Sequence, residues 1–140
     1  VIFKIICRIN DRDARYLSTF SNVEVTGEVA SISDEVSDAC IGVCPVRMAA
    51  GIQNKVLEYM AMGIPCVTSK IGAEGIDAQN DYHFCVASSP SKFALKLEKL
   101  LSDKDFHEFI SINAFDFVKK NHDWNYCFKD FSNKLESIFN

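Results

Sequence analysis

Apolar and polar positions fall into blocks along this chain, and the period changes from block to block. Residues 1–7 (VIFKIIC) form an almost unbroken β-branched apolar run, which predicts a buried strand. Residues 11–20 are polar apart from Ala14, Leu17 and Phe20, spaced as on one helix face. A second strand over 23–26 ends at Gly27, and 34–39 reads as a short acidic helix with Ser33 as its N-cap. Residues 40–45 (CIGVCP) predict a third strand and 46–53 a loop. A helix then runs to Met62, capped by Asn54, with Gly63 at the position after its end. A fourth strand over 64–68, a Gly-containing loop over 69–81 and a fifth strand over 82–87 follow.

From there the period becomes helical. Phe93, Leu97, Leu100 and Leu101 stripe residues 91–102, and Phe106, Phe109, Ile110, Ala114, Phe117 and Val118 stripe 105–121. Tyr126, Phe128, Phe131, Leu135 and Ile138 stripe 124–139. Such amphipathic helices pack their aromatic side chains on a sheet. Five strands alternating with helices predict an α/β fold with a mainly parallel sheet flanked by helices. Ligands of such sheets bind beyond the carboxyl ends of strands, near helix N-termini, which is where residues 46–55 fall.

Composition narrows the partners. At 140 residues one domain is expected, 48% apolar and 24% charged as in ordinary globular proteins. A net charge of −4 with no basic stripe excludes nucleic acid as the main partner. No apolar run is long enough to span a membrane and no secretion leader is visible. Val1 already lies inside a strand-like run, so the chain reads as a piece of a longer polypeptide. Six scattered cysteines without C-x-x-C or zinc spacing (Cys7, Cys40, Cys44, Cys66, Cys85, Cys127) are expected to be reduced, buried and structural, as in a cytoplasm.

The chemistry concentrates in Gly51-Ile-Gln-Asn-Lys-Val-Leu-Glu-Tyr-Met-Ala-Met-Gly63. Its helix is apolar almost all round, and its only charges, Lys55 and Glu58, share a face near the start. Ala49, Ala50 and Gly51 are small enough for a ligand to approach the backbone. The N–H groups of Ile52, Gln53, Asn54 and Lys55 open the helix and attract an anion, and Arg47 and Lys55 add two positive charges, which suits a diphosphate. Glu58, a turn deeper, offers a carboxylate to a sugar diol. The competing reading is a surface ion pair between Lys55 and Glu58. Glu74, Asp77 and Asp81 group acids in one loop, where a flexible turn outweighs a metal site; His83, His107 and His122 share no ligand spacing.

Residues 23–76 resemble the donor-binding half of family 4 retaining glycosyltransferases, which have two Rossmann-like domains. The matching segments are VEVTGEV (23–29), VCPVR (43–47), GIQNKVLEYMAMGIPCVTS (51–69) and GAEGI (72–76), and FVKKNHDW (117–124) resembles the signature that ends the domain. The resemblance implies a Rossmann-like fold and transfer of a hexose-type sugar, with retention, from a nucleotide-diphosphate sugar to a glycan or lipid-linked acceptor. It assigns the ribose to Glu58, the diphosphate to Gly51, Ile52, Gln53 and Asn54 with Lys55 and Arg47 stabilising the leaving group, and the base to the loop Gly27, Val29, Ala30. It implies no metal and no cofactor, the nucleotide-sugar being the substrate. It further implies a cytoplasmic protein, the full polypeptide associating with the inner membrane face.

Two departures stand out. Many relatives carry two glutamates with seven residues between them, and the earlier position is Ala50 here. The family's donor domain also opens with a central strand and helix before the segment matching residues 1–8. The chain is therefore expected to be a donor domain over 1–140 without its opening βα unit, the acceptor domain lying outside it, and inactive in isolation. A nucleotide-binding remnant without turnover and a sugar-nucleotide epimerase of the same fold stay open as alternatives.

Overall fold

The computed structural model describes residues 1–139, without the side chains at 124–127, 130 and 139. Trp124, Tyr126 and Cys127, which the sequence assigned to a family signature, a core stripe and a structural thiol, lie outside the described side chains. The chain divides into two compact units, 1–38 and 39–140.

In the first unit β1 (Phe3–Ile5) and β2 (Val23–Val25) pair in parallel, Phe3 opposite Val23 and Ile5 opposite Val25. Helix α1 (Asp11–Leu17) makes the crossover that parallel pairing requires, and it is capped by Asn10, whose side chain accepts from Asp13 N at 2.9 Å. Gly27, at φ 77°, ends β2 as its sequence position predicts. Helix α2 (Ile32–Glu35) starts earlier than the acidic pattern indicates: Ser31, not Ser33, is the cap. Glu35 holds Lys4 of β1 at 3.0 Å. The expectation of a buried first strand fails. Phe3 is 42% exposed and Ile2 more so, because a two-stranded sheet has too few neighbours to cover an apolar run. Val36 is the only buried side chain of this unit.

The second unit holds β3 (Gly42–Cys44), β4 (Cys66–Ser69) and β5 (Cys85–Ala87), all parallel, in the order β3-β4-β5. The single five-stranded sheet expected from the sequence is thus two sheets, in which β1, β2, β3 and β5 each pair on one side only and β4 on both. Strand alternation sorts the core. Cys44, Cys66 and Phe84 face helix α3 (Asn54–Ala61), packing with Val56 and Met60. Val67, Cys85 and Ala87 face the other way, onto Leu100 of α5 (Pro90–Ser102). Helix α6 (Lys104–Asn121) serves both faces: Ile110 joins the second cluster and Ala114 the first. Its Ser111 hydroxyl donates to Gly63 O at 2.6 Å, fixing the turn behind α3, and Gly63 has the left-handed φ of 67° that its position predicts.

A short helix α4 (Lys70–Ala73) interrupts the expected loop after β4, and β5 starts at Cys85 rather than residue 82. Of the expected buried thiols Cys44, Cys66 and Cys85 are buried, whereas Cys7 and Cys40 are exposed; these five are free. Burial first, then the Asp81 carboxylate, pushes the Cys85 thiol up to about 12, and burial raises Cys66 too, so both stay protonated near neutrality. The aromatic stripes are less buried than expected. Phe109 on α6 and Phe128 and Phe131 on α7 (Trp124–Phe139) are exposed.

Tyr59 of α3 lies so close over Gly42 that no Cβ fits beneath its ring. Gly42→Ala is therefore expected to destabilise the protein by about 1–3 kcal/mol through overpacking, read as a lowered denaturant midpoint. A midpoint equal to wild type would show that the ring moves aside freely. At the entry to β5, His83 Nδ1 accepts the Gln79 N–H at 2.8 Å, and burial lowers the imidazole pKa from 6.5. The folded state thus binds fewer protons than the unfolded chain. The stability His83 contributes is full above about pH 6.5 and declines as pH falls through the depressed folded value. Replacing His83 by Gln should flatten the fall in stability between about pH 7 and 5, measured by urea unfolding at each pH.

Candidate functional site

The site begins where β3 ends. Proline at position 45 stops the strand, and the loop that follows exposes Arg47, Met48, Ala49 and Ala50 before Gly51 turns it at φ 73°. The chain then enters α3. Asn54, expected as the cap, is instead the first helical residue, and Gln53 holds the cap position. Gln53 does not cap: its amide donates back to Gly51 O at 3.2 Å. Asn10, Ser31, Ser69, Ser89 and Asp103 cap α1, α2, α4, α5 and α6 with their own side chains, so α3 differs from those five. Among the described residues the N–H groups of Ile52, Gln53, Asn54 and Lys55 have no acceptor. Unpaired amides and the positive end of the helix dipole make this tip attractive to an anion.

The charged face is more open than the composition of the helix implies. Val56 and Met60 are buried and Leu57 and Tyr59 half-buried, but Asn54, Lys55, Glu58, Ala61 and Met62 form a solvent-exposed face. The expectation of two charges on an otherwise buried helix is corrected: apolar Ala61 and Met62 lie outside, where composition alone put them in the core. The alternative of an ion pair is not realised either. Lys4–Glu35, Arg8–Glu28 and Lys96–Asp81 form ion pairs, and Lys55, Glu58 and Arg47 take part in none of them. The acidic group of the 69–81 segment is dispersed in role, since Asp81 turns to Lys96 at 2.6 Å while Glu74 and Asp77 are exposed.

Gly27, Val29 and Ala30, the expected base-binding loop, belong to the first unit and follow the carboxyl end of β2; Gly27 and Val29 are half-buried and Ala30 is exposed. Residues 47–58 belong to the second unit and follow the carboxyl end of β3.

A second loop borders the site, and the sequence pattern assigned it no role. Thr68 Oγ1 donates to Cys44 O at 3.3 Å, and Ser69 Oγ donates to Val46 O at 2.6 Å while accepting from Gly72 N at 2.9 Å. Gly75, at φ 80°, lies against Ile52, where an added Cβ would come within 3.0 Å of Ile52 Cγ1. Gly72 packs on Thr68 and Cys44 with no room for a side chain. The available signal was the Thr-Ser pair closing a strand, with Gly three residues after Ser69, the spacing of an N-cap and the amide it receives.

The sequence model of the glycosyl transferases group 1 matches residues 4–103, most of the chain. The chain belongs to that family. No curated protein matches it significantly in sequence. Among solved structures, Anabaena HepE in complex with UDP is similar at TM-score 0.84 and 14% identity, the match covering 98% of this chain and 41% of HepE. HepE with UDP-glucose matches at TM-score 0.79 and 14% identity over 97% of this chain and 41% of HepE. The C-terminal domain of the group 1 glycosyl transferase LpcC from Francisella tularensis matches at TM-score 0.65 and 21% identity, over 81% of this chain and 60% of that one. These likenesses establish the Rossmann-like α/β fold of this group 1 glycosyl transferase chain, which spans about 41% of the length of HepE. Among the described residues no helix is long and apolar enough to cross a membrane.

Unpaired charges on an exposed face contribute little to folding. Lys55→Ala and Glu58→Ala are each expected to change unfolding free energy by less than about 0.5 kcal/mol, measured by urea denaturation. A loss several times larger in either variant would mean that the two groups hold the fold together instead of facing a ligand.

Proposed function

We propose that the chain is the donor half of a glycosyltransferase that moves a hexose-type sugar from a nucleotide-diphosphate sugar to a glycan or lipid-linked acceptor. The observation that carries this reading is the uncapped start of α3, with its free amides, between Arg47 and Lys55 and one turn above an unpaired Glu58. Membership of the group 1 family and the UDP and UDP-glucose complexes of HepE support it.

In this reading the diphosphate rests on Gly51, Ile52, Gln53 and Asn54. As the glycosidic bond breaks, charge grows on the departing diphosphate, and Arg47, Lys55 and the helix amides stabilise it at fixed positions. Glu58 accepts the two ribose hydroxyls, and Gly27, Val29 and Ala30 meet the base. The nucleotide-sugar is the substrate, and no metal or cofactor is assigned. The acceptor-binding domain and an opening βα unit lie outside residues 1–140, and the isolated chain is inactive. Each of the two sheets has free edges on which a further strand of the complete protein can pair. We place that protein in the cytoplasm, at the inner face of the membrane where a lipid-linked acceptor is presented.

Ala50, at the family's earlier glutamate position, favours a second reading: a nucleotide-binding remnant without turnover. Titration calorimetry of the full-length protein with UDP and GDP addresses the site. One nucleotide is expected to bind, and Glu58→Ala to weaken it at least about tenfold, as loss of charge-assisted hydrogen bonds dictates. Binding unchanged by that substitution removes the ribose role. A radiolabelled-sugar transfer assay separates the two readings, since glycan labelling eliminates the remnant.

A further inference from the structure

We infer that Ser69 is a positioning residue for the diphosphate cradle, latching the loop that carries Arg47 to the end of β4; the inference rests on the nucleotide-sugar reading above. The register between β3 and β4 ends at Cys44 opposite Thr68. Beyond it the two chains stay together through side chains. Thr68 Oγ1 reaches Cys44 O, Ser69 Oγ reaches Val46 O, and Gly75 abuts Ile52, so three contacts fasten the first loop at its start, beside Arg47 and at the entry to α3.

The middle contact is the strongest of the three. At 2.6 Å it lies at the short end for O–H···O hydrogen bonds. Its direction is fixed, because Gly72 N–H donates into the same hydroxyl and the serine proton is left for Val46 O. Among the described residues only two hydrogen bonds hold the segment 46–51: this one, and the Gln53 amide on Gly51 O. Arg47 follows Val46 directly, so the guanidinium extends from a backbone held by the packed Val46 side chain and by one hydroxyl hydrogen bond. Ala49, Ala50 and Gly51 have no side chain that could replace the anchor. Without it, residues 47–51 keep only the packing of the Val46 side chain on the core at one end and the Gln53 contact at the other, and Arg47 must be ordered further when the diphosphate arrives, which weakens binding by the entropy of ordering.

Two measurements on the full-length protein test this with Ser69→Ala and Ser69→Thr. Amide hydrogen exchange is followed in peptides covering 46–53, and affinity for the nucleotide that wild type prefers is measured by calorimetry. Ser69→Ala is expected to speed exchange in 46–53 relative to β5 and α5 and to weaken nucleotide binding about tenfold. Ser69→Thr, which keeps the hydroxyl, is expected to restore both. Wild-type exchange in Ser69→Ala overturns the latch, as does faster exchange spread evenly over β3, β4 and β5, which marks a general structural role. Unchanged affinity alongside faster loop exchange overturns the positioning role. Should wild type bind neither UDP nor GDP, the nucleotide reading fails and the positioning role with it, while the exchange result still decides whether the latch exists.

Discussion

The parallel pairing of β3, β4 and β5 is the constraint on which the second unit depends. Parallel neighbours cannot be joined by a tight turn, so each connection must cross from one end of the sheet to the other, and all strands finish at the same edge. That is why the loop after β3 and the loop after β4 emerge side by side and can be joined by a serine hydroxyl. The register has a second effect. With a side-chain period of two, a slip of one residue would send Cys44, Cys66 and Phe84 away from α3 and bring Val67 and Cys85 onto it. The tight fit of Tyr59 on Gly42 exists in one register only.

Much of this was legible in the chain. The apolar runs gave strands, Gly27 and Gly63 gave true left-handed stops, and the charge-bearing start of α3 stood out by type and spacing. Other features escaped for identifiable reasons. Residues 31–34 read Ser-Ile-Ser-Asp, so two serines compete for the cap of α2, and their hydroxyls lie 3.0 Å apart. Local pattern cannot rank them. The burial of β1 depends on what covers it, which the run itself does not encode. Ser69 and Val46 are 23 residues apart, so their contact follows only from strand pairing. Composition also misjudged α3: eight residues with only two charges seem suited to a core, yet alternating burial leaves Ala61 outside and Val56 inside.

Both sheets end in a strand with one free side. Ile2 and Phe3, beside the edge at β1, are apolar and exposed. A short strand limits the hazard that such an edge presents for pairing with another molecule. Three residues each is the length of β1 and β3.

The five cysteines whose side chains are described divide by location in a way that outlasts any assignment of function. Cys7 and Cys40 are open to solvent, whereas Cys44 and Cys66 are sealed on the α3 side of the sheet and Cys85 on the α5 side. An alkylating reagent therefore finds the outer pair at once and the inner three only when a layer lifts away. The order in which the inner thiols become modified reports which layer detaches first, a native clock for breathing motions that needs no introduced label.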